Sequence, residues 1–149
     1  MTYMTMTTAL PDPVTESRFY EGVLVKRALA WLVDILVITG FTIAAGLATL
    51  TLAFFLWPVF FVGIGLIYRI STLANGSATW GMRLLGIELR GHDGDRLDTL
   101  QSAFHVGGYY VSVAFLLPML ISVGAMMVTD RRQGLTDMLL GTAAINRPS

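Results

Sequence analysis

The fold is decided by residues 28–68, ALAWLVDILVITGFTIAAGLATLTLAFFLWPVFFVGIGLIY, a stretch of 41 residues in which Asp34 is the only formal charge. A single helix of that length would extend for about 60 Å, roughly twice the thickness of the hydrocarbon core of a bilayer. The stretch therefore predicts two membrane spans, at about residues 27–48 and 53–70.

The composition agrees with a lipid environment. The chain has 149 residues, of which 54% are hydrophobic and 13% are charged, whereas soluble domains average about 25% charged residues. We therefore expect the lipid bilayer to be its main partner. Ten basic residues balance ten acidic ones, so the chain has no excess of positive charge that would indicate nucleic-acid binding. The absence of cysteine excludes disulfides and thiolate sites.

The basic residues predict the orientation. Lys26 and Arg27 precede the first span, and the turn expected between Leu47 and Pro58 has none. Four arginines lie at or beyond the end of the second span: Arg69, Arg83, Arg90 and Arg96. By the positive-inside rule both outer ends face the cytoplasm. We expect a multi-pass membrane protein with a cytoplasmic amino terminus.

The amino-terminal residues do not resemble a signal peptide, because no basic residue precedes Arg18. We expect residues 1–22 to form a mobile cytoplasmic tail. Residues 23–145 then form a single membrane domain.

A polar stretch at about residues 71–98 predicts a cytoplasmic insert between membrane segments. Residues 80–86 favour a short amphipathic helix at the membrane surface. Residues 87–90 alternate apolar and polar side chains, and Asp93-Gly94 is typical of a tight turn. This pattern predicts a small hairpin whose second strand lies at residues 96–100. A short strand at residues 142–145 could also lie beside residues 87–90.

A third apolar block, at about residues 99–129, is interrupted by Pro118. We favour a hairpin over a single span, because Arg131 and Arg132 place the far end inside and each arm is shorter than the roughly 20 residues of a standard span. A short terminal helix is expected at about residues 131–140. The predicted class is thus an all-α membrane protein.

Asp34 is the first candidate functional residue. A charged side chain at the bilayer centre costs about 2.5–3.5 kcal/mol on insertion scales, so an intramembrane acid needs a partner or a proton. Asp34 is therefore either an ion-binding or proton-binding site, or part of a structural polar cluster in which it bonds to an arginine, a hydroxyl or the backbone. Three arginines are expected on its side of the membrane: Arg83, Arg131 and Arg132.

The other candidate residues are less specific. Asp137 alone is typical of a first-turn acid or a surface ion pair. His92 is expected to be solvated and His105 interfacial, and two histidines without clustered acids make a poor metal site. A small-residue stripe along the first span suggests a surface for close helix packing, although such residues are common in membrane helices. The stripe consists of Gly40, Ala44 and Ala48.

The sequence shows no nucleophile arrangement, phosphate-binding glycine loop or paired carboxylates. We therefore expect neither an enzyme nor a cofactor or metal site.

Three stretches in order resemble the RDD family of bacterial membrane proteins, which is named for one arginine and two aspartates. RALAWLVD, residues 27–34, resembles the opening arginine and first aspartate; TWGMRLLGIEL, residues 79–89, resembles the central segment; DRRQGLTDMLLGT, residues 130–142, resembles the closing segment with the second aspartate. The resemblance implies that Arg27, Asp34 and Asp137 form one set.

The chain departs from the family pattern at two positions. Met82 stands where the family usually has lysine, and His105 where arginine is common. These departures argue against a cation-binding or lipid-binding role for the two positions.

Two classes of function follow. The resemblance implies a small transporter or ion-coupled exchanger of a cation against protons, with Asp34 as the titrating carboxylate and a homo-oligomer supplying the pathway. The alternative is a non-transporting membrane assembly, scaffold or regulatory subunit with a membrane-protein partner. In it the arginine and the two aspartates act as a structural lock.

Overall fold

The computed structural model describes residues 8–148. These residues form seven helices and one two-stranded sheet, together with a short 3-10 helix at Ser17–Phe19. The helices are α1 (Val23–Ala48), α2 (Leu52–Phe55), α3 (Trp57–Ala74), α4 (Trp80–Leu84), α5 (Thr99–Ala114), α6 (Leu116–Val128) and α7 (Leu135–Leu140). The strands are β1 (Ile87–Arg90) and β2 (Ala143–Asn146).

Two helices are long and apolar enough to cross a membrane. They are α1, which is continuous with the 3-10 turn before it, and α3. The predicted fold class, a helical membrane protein with two spans and a broken third block, is confirmed. The connection contains the short helix α2, and Pro58 lies in the first turn of α3, where its missing N–H would have no intrahelical partner.

The third apolar block is broken, as predicted, but the break precedes Pro118. Helix α5 ends at Ala114, Phe115 is extended, and α6 turns away by 117°. A proline ring clashes with the carbonyl four residues earlier, which here belongs to Ala114. The block is therefore two short arms and not one straight span.

The strand pairing corrects one prediction. Strand β1 pairs antiparallel with β2, with Ile87 opposite Asn146 and Arg90 opposite Ala143, so the alternative partner near residues 142–145 is the observed one. The expected strand at residues 96–100 is wrong. Asp98 instead caps α5, accepting a hydrogen bond from the Gln101 N–H at 2.7 Å.

Part of the segment predicted to be a mobile tail, residues 1–22, makes contacts with the sheet and the loop after β1. Tyr20 is buried against Leu10 and Ile145, and the Ala9 N–H donates to the His92 carbonyl at 2.7 Å. Residues 8–22 therefore pack onto the sheet, and residues 1–7 lie outside the described part of the chain.

The terminal helix begins at Leu135 and not near Arg131. Arg132 has a left-handed backbone (φ 51°), which ends any helix started before it. The Gln133 N–H donates to the Thr129 hydroxyl at 2.8 Å, so residues 129–133 form a turn before the helix.

The buried core lies at one end of the bundle, where α4, β1 and β2 pack against the start of α1 and the end of α3. The buried side chains of the main cluster are Val23, Ala30, Leu73, Ala78, Met82, Ile87, Leu89, Leu97, Val106 and Ala144. Large apolar side chains cover the outside of the long helices, for example Leu36 and Ile67. That distribution suits a molecule whose solvent is lipid.

The small-residue stripe of α1 does not pack against other parts of residues 8–148. Gly40, Ala44 and Ala48 are all exposed, and a Cβ added at Gly40 would meet no atom of these residues within 4 Å. The packed face of α1 carries a different row of residues, which are buried and also recur every four positions. This row includes Asp34 and Ile38.

Candidate functional site

Asp34 lies on the packed face of α1 and is 2% exposed. The Tyr68 hydroxyl of α3 donates to its Oδ1 at 2.6 Å. The Thr79 hydroxyl donates to Oδ2 at 2.6 Å, and the Gly81 N–H donates to Oδ1 at 3.0 Å. Both carboxylate oxygens are therefore occupied by donors that lie 34 to 47 residues further along the chain.

Helix α4 supplies two of these donors from its amino-terminal turn. Thr79 is the N-cap of α4 and accepts a hydrogen bond from the Met82 N–H at 3.2 Å, while its own proton goes to Asp34. The Gly81 N–H is one of the first-turn donors that has no partner inside the helix. A Cβ at Gly81 would overlap the Ala30 carbonyl oxygen. Glycine is thus required for α4 to approach α1 this closely.

Arg69 is the nearest cation to Asp34. Its Nη1 lies 3.6 Å from Asp34 Oδ2, which is an ion pair beyond hydrogen-bond distance. The guanidinium stacks over the Tyr109 ring, 4.7 Å from the centroid. Its Nε and Nη2 are buried and find no acceptor among residues 8–148. We call Asp34, Arg69, Tyr68, Thr79 and Gly81 the Asp34 site.

Asp137 forms a second buried site and is 1% exposed. Arg27 Nη1 donates to its Oδ2 at 2.7 Å, and His105 Nε2 lies 2.9 Å from Oδ1. The Thr142 hydroxyl donates to Oδ1 at 2.8 Å, and the Gly134 N–H donates to Oδ2 at 3.1 Å. This Asp137 site joins α1, α5, α7 and the residue before β2.

The electrostatics of the Asp137 site keep the carboxylate ionised. Burial alone would raise the pKa of Asp137, but the Arg27 guanidinium and the hydrogen bond with His105 lower that pKa below its usual range. An ionised carboxylate only accepts hydrogen bonds, so His105 Nε2 is the donor in this contact.

The structure divides the predicted set of three residues between these two sites. Arg27 and Asp137 meet directly, whereas Asp34 contacts neither of them. Side chains on a helix lean toward its amino terminus, so Arg27 points away from Asp34, toward α7.

The three arginines expected as partners of Asp34 lie elsewhere. Arg83 donates to the carbonyls of Ala78 and Thr72. Arg132 Nη1 donates to the Met127 carbonyl, and the Nε of Arg131 is buried without an acceptor among the described residues. Sequence reasoning used Arg69 only as a marker of orientation. The missed signal was that α3 carries one formal charge, Arg69, directly after the apolar stretch, and that this charge is opposite to the charge of Asp34.

The histidines differ in role. His92 is exposed, as predicted. His105 was expected to be interfacial and instead faces a buried carboxylate. It stands where the family pattern has arginine, and it supplies a donor to Asp137 as an arginine could. Within residues 8–148, no group of three or more histidine, aspartate or glutamate side chains is placed to hold a metal ion.

Comparison with known proteins gives one match. The model of the family described as RDD matches residues 22–141, which include both buried aspartates. No curated protein and no solved structure is significantly similar to the chain.

Proposed function

The chain belongs to the RDD family of membrane proteins, and we propose that it is a non-enzymatic assembly or regulatory subunit. In this proposal the two buried aspartates are structural locks. They fix the short segments at one end of the bundle, α4, α7 and β2, against the long helices.

One observation carries the proposal: both oxygens of each buried aspartate are bonded to donors from distant parts of the chain. The Asp137 contacts reach Arg27, 110 residues earlier, and His105, 32 residues earlier. Neither aspartate lines the cleft bordered by Glu88 or the cleft bordered by Leu66. An exchanging ion would have to displace several short hydrogen bonds at once.

The free energies expected for these hydrogen bonds and ion pairs agree with a structural role for the two aspartates. A hydrogen bond to a charged group contributes about 1.5–3 kcal/mol, and removing one partner of a buried ion pair costs about 3–5 kcal/mol. Since whole domains are stable by only about 5–15 kcal/mol, loss of either lock should reduce the amount of folded protein.

We further propose that the protein resides in the bacterial cytoplasmic membrane with its amino terminus in the cytoplasm. The supporting observation is the placement of basic residues at the bundle end where α1 begins and α3 stops, including Lys26, Arg27 and Arg69. The partner in the membrane would be a second copy or another membrane protein. Reaction of cysteines introduced at Ala9 and at Leu50, which is exposed in the connection between α1 and α2, with an impermeant maleimide, in intact and in opened cells, tests the orientation.

The test of the lock uses matched aspartate-to-asparagine variants. We expect Asp34→Asn and Asp137→Asn to lower the abundance of monodisperse protein in mild detergent. Asp93→Asn is the control, because Asp93 is exposed and, among the described residues, its side chain accepts only a local hydrogen bond from the Asp95 N–H. Wild-type abundance in both buried-site variants would refute the lock. Affinity purification of the wild type in the same detergent should retain a stoichiometric subunit or a second copy.

A second candidate function is ion-coupled transport, and the Asp34 site is what favours it. An ion pair inside the membrane-spanning helices is a functional-site hypothesis by default, and two buried donors of Arg69 lack acceptors among residues 8–148. Proteoliposomes should then show cation-dependent proton movement that the Asp34→Asn variant lacks at equal protein content. Equal signals from both proteins would eliminate transport through this site.

A further inference from the structure

A third buried acid, Glu88, lies outside both aspartate sites. It is 1% exposed although it sits in the middle of β1. Three arginines surround its carboxylate: Arg90, Arg96 and Arg147. Together these four side chains and Pro148 line an open cleft of about 350 Å³. We call it the arginine cleft.

The sheet places these residues on one side. Glu88 and Arg90 are two residues apart on β1 and therefore project from the same face. Arg147 follows the end of β2, where its N–H donates to the Gly86 carbonyl at 2.9 Å. This bond holds Arg147 across the ribbon from Glu88.

Arg90 makes three side-chain hydrogen bonds inside the cleft. It forms an ion pair and hydrogen bonds with Glu88 Oε1, and its Nη1 donates to the Gly94 carbonyl at 3.0 Å. It therefore neutralises Glu88 and has little capacity for another ligand.

The two outer arginines are not engaged in this way. Arg147 Nε lies 3.3 Å and Arg96 Nη2 lies 3.6 Å from Glu88 Oε2, yet that buried oxygen receives no hydrogen bond from residues 8–148. The guanidiniums are held near the carboxylate by charge, while their N–H groups are not directed at it. Their side chains are 61% (Arg96) and 38% (Arg147) exposed.

The cleft thus holds three positive charges and one negative charge. The guanidinium groups of Arg96 and Arg147 face solvent. Guanidinium forks match the oxygens of a phosphate group, which they bind in bidentate fashion. The volume lies in the range of small-ligand sites. The ribbon also adjoins the start of α1, because Lys26 Nζ donates to Asn146 Oδ1 at 2.6 Å. Phospholipid headgroups would occupy this level of a membrane.

From these contacts we propose that the arginine cleft binds a phosphate group, with Arg96 and Arg147 as its ligands and Arg90 as the residue that neutralises Glu88. The phosphate belongs either to an anionic lipid headgroup or to a soluble phosphate compound. This site is independent of the proposed lock function, because it includes neither buried aspartate.

The test compares Arg96→Gln and Arg147→Gln with Arg18→Gln. Arg18 is also exposed and forms no ion pair among the described residues, so all three variants lose one charge. Inorganic phosphate is titrated calorimetrically into protein in an uncharged detergent. In parallel, native mass spectrometry counts phosphatidylglycerol retained from vesicles of phosphatidylcholine and phosphatidylglycerol.

Each cleft variant should weaken binding by about tenfold, the effect of one charge-assisted hydrogen bond, and Arg18→Gln should leave it unchanged. Binding of inorganic phosphate identifies a soluble ligand, and selective retention of phosphatidylglycerol without phosphate binding identifies a lipid. Absence of both, or equal weakening in all three variants, would overturn the proposal. Because Arg96 is largely exposed, its variant should fold normally, and equal melting temperatures will verify this.

Discussion

Gly81→Ala tests the close contact between α4 and α1 on which the Asp34 site depends. The added Cβ would overlap the Ala30 carbonyl oxygen and lie 2.9 Å from Asp34 Oδ1. Since packed interiors hold almost no free space, α4 must move away by on the order of 1 Å. The Thr79–Asp34 distance, now 2.6 Å, would then reach about 3.6 Å, where a hydrogen bond no longer forms.

The expected cost combines two effects. Overpacking costs about 1–3 kcal/mol, and one lost hydrogen bond to a carboxylate costs about 1.5–3 kcal/mol. Because a chain of this size changes its melting temperature by about 3 °C per kcal/mol, we expect a decrease of roughly 8–18 °C.

The assay is thermal unfolding of purified protein in detergent, followed by tryptophan fluorescence, with Gly107→Ala as the control. Gly107 lies in α5, and a Cβ there would meet no atom within 4 Å. The control should be unchanged or more stable by up to about 1 kcal/mol, the helix-propensity gain of alanine over glycine. If Gly81→Ala melts at the temperature of the control, the assigned contact between α4 and α1 is wrong.

Three further predictions concern the Asp137 site. Arg27→Ala should cost about 3–5 kcal/mol, because it leaves a buried carboxylate without its cation; denaturation measured beside Arg18→Ala checks this, and equal stabilities would contradict it. His105→Leu should destabilise by about 1.5–3 kcal/mol, whereas His105→Gln, which retains a donor, should lose less; equal losses would show that the donor is unimportant. The pKa of Asp137 is lowered by folding, so its stabilisation is complete above the ordinary carboxyl pKa of about 3.9 and is lost as the pH falls below it. Melting curves between pH 6 and pH 3 should therefore fall more steeply for the wild type than for Asp137→Asn, and parallel curves would exclude this linkage.

The spans and the broken block could be predicted from the sequence because their causes are local. Hydropathy identifies α1 and α3, and the ring of Pro118 ends α5 at the residue four positions before it. The short elements were harder because local signals competed. Residues 96–100 suit a strand, but Asp98 also suits a helix cap, and the cap formed.

The residues that bond to Asp34 and Asp137 could not be predicted, because these bonds depend on tertiary contacts. The cost of an intramembrane carboxylate predicted that Asp34 has a partner. No sequence pattern identified Thr79 or Gly81, which lie 45 and 47 residues later, as that partner. Family resemblance grouped Arg27 with both aspartates. Only the packing of α7 against α1 and α5 reveals which aspartate the arginine binds.

The packing of residues 8–22 against β2 has a consequence for biosynthesis. Asn146 binds the carbonyls of Arg18 and Glu21 through its side-chain amide, across 128 and 125 residues. Arg18 and Glu21 leave the ribosome long before Asn146 is synthesised. The long helices lie between these positions in the sequence and are therefore synthesised first. The membrane helices must therefore be inserted while the beginning of the chain is still unpaired. Strand β2 then closes the molecule, and a truncation before Ala143 would leave both β1 and the amino-terminal segment without their partner.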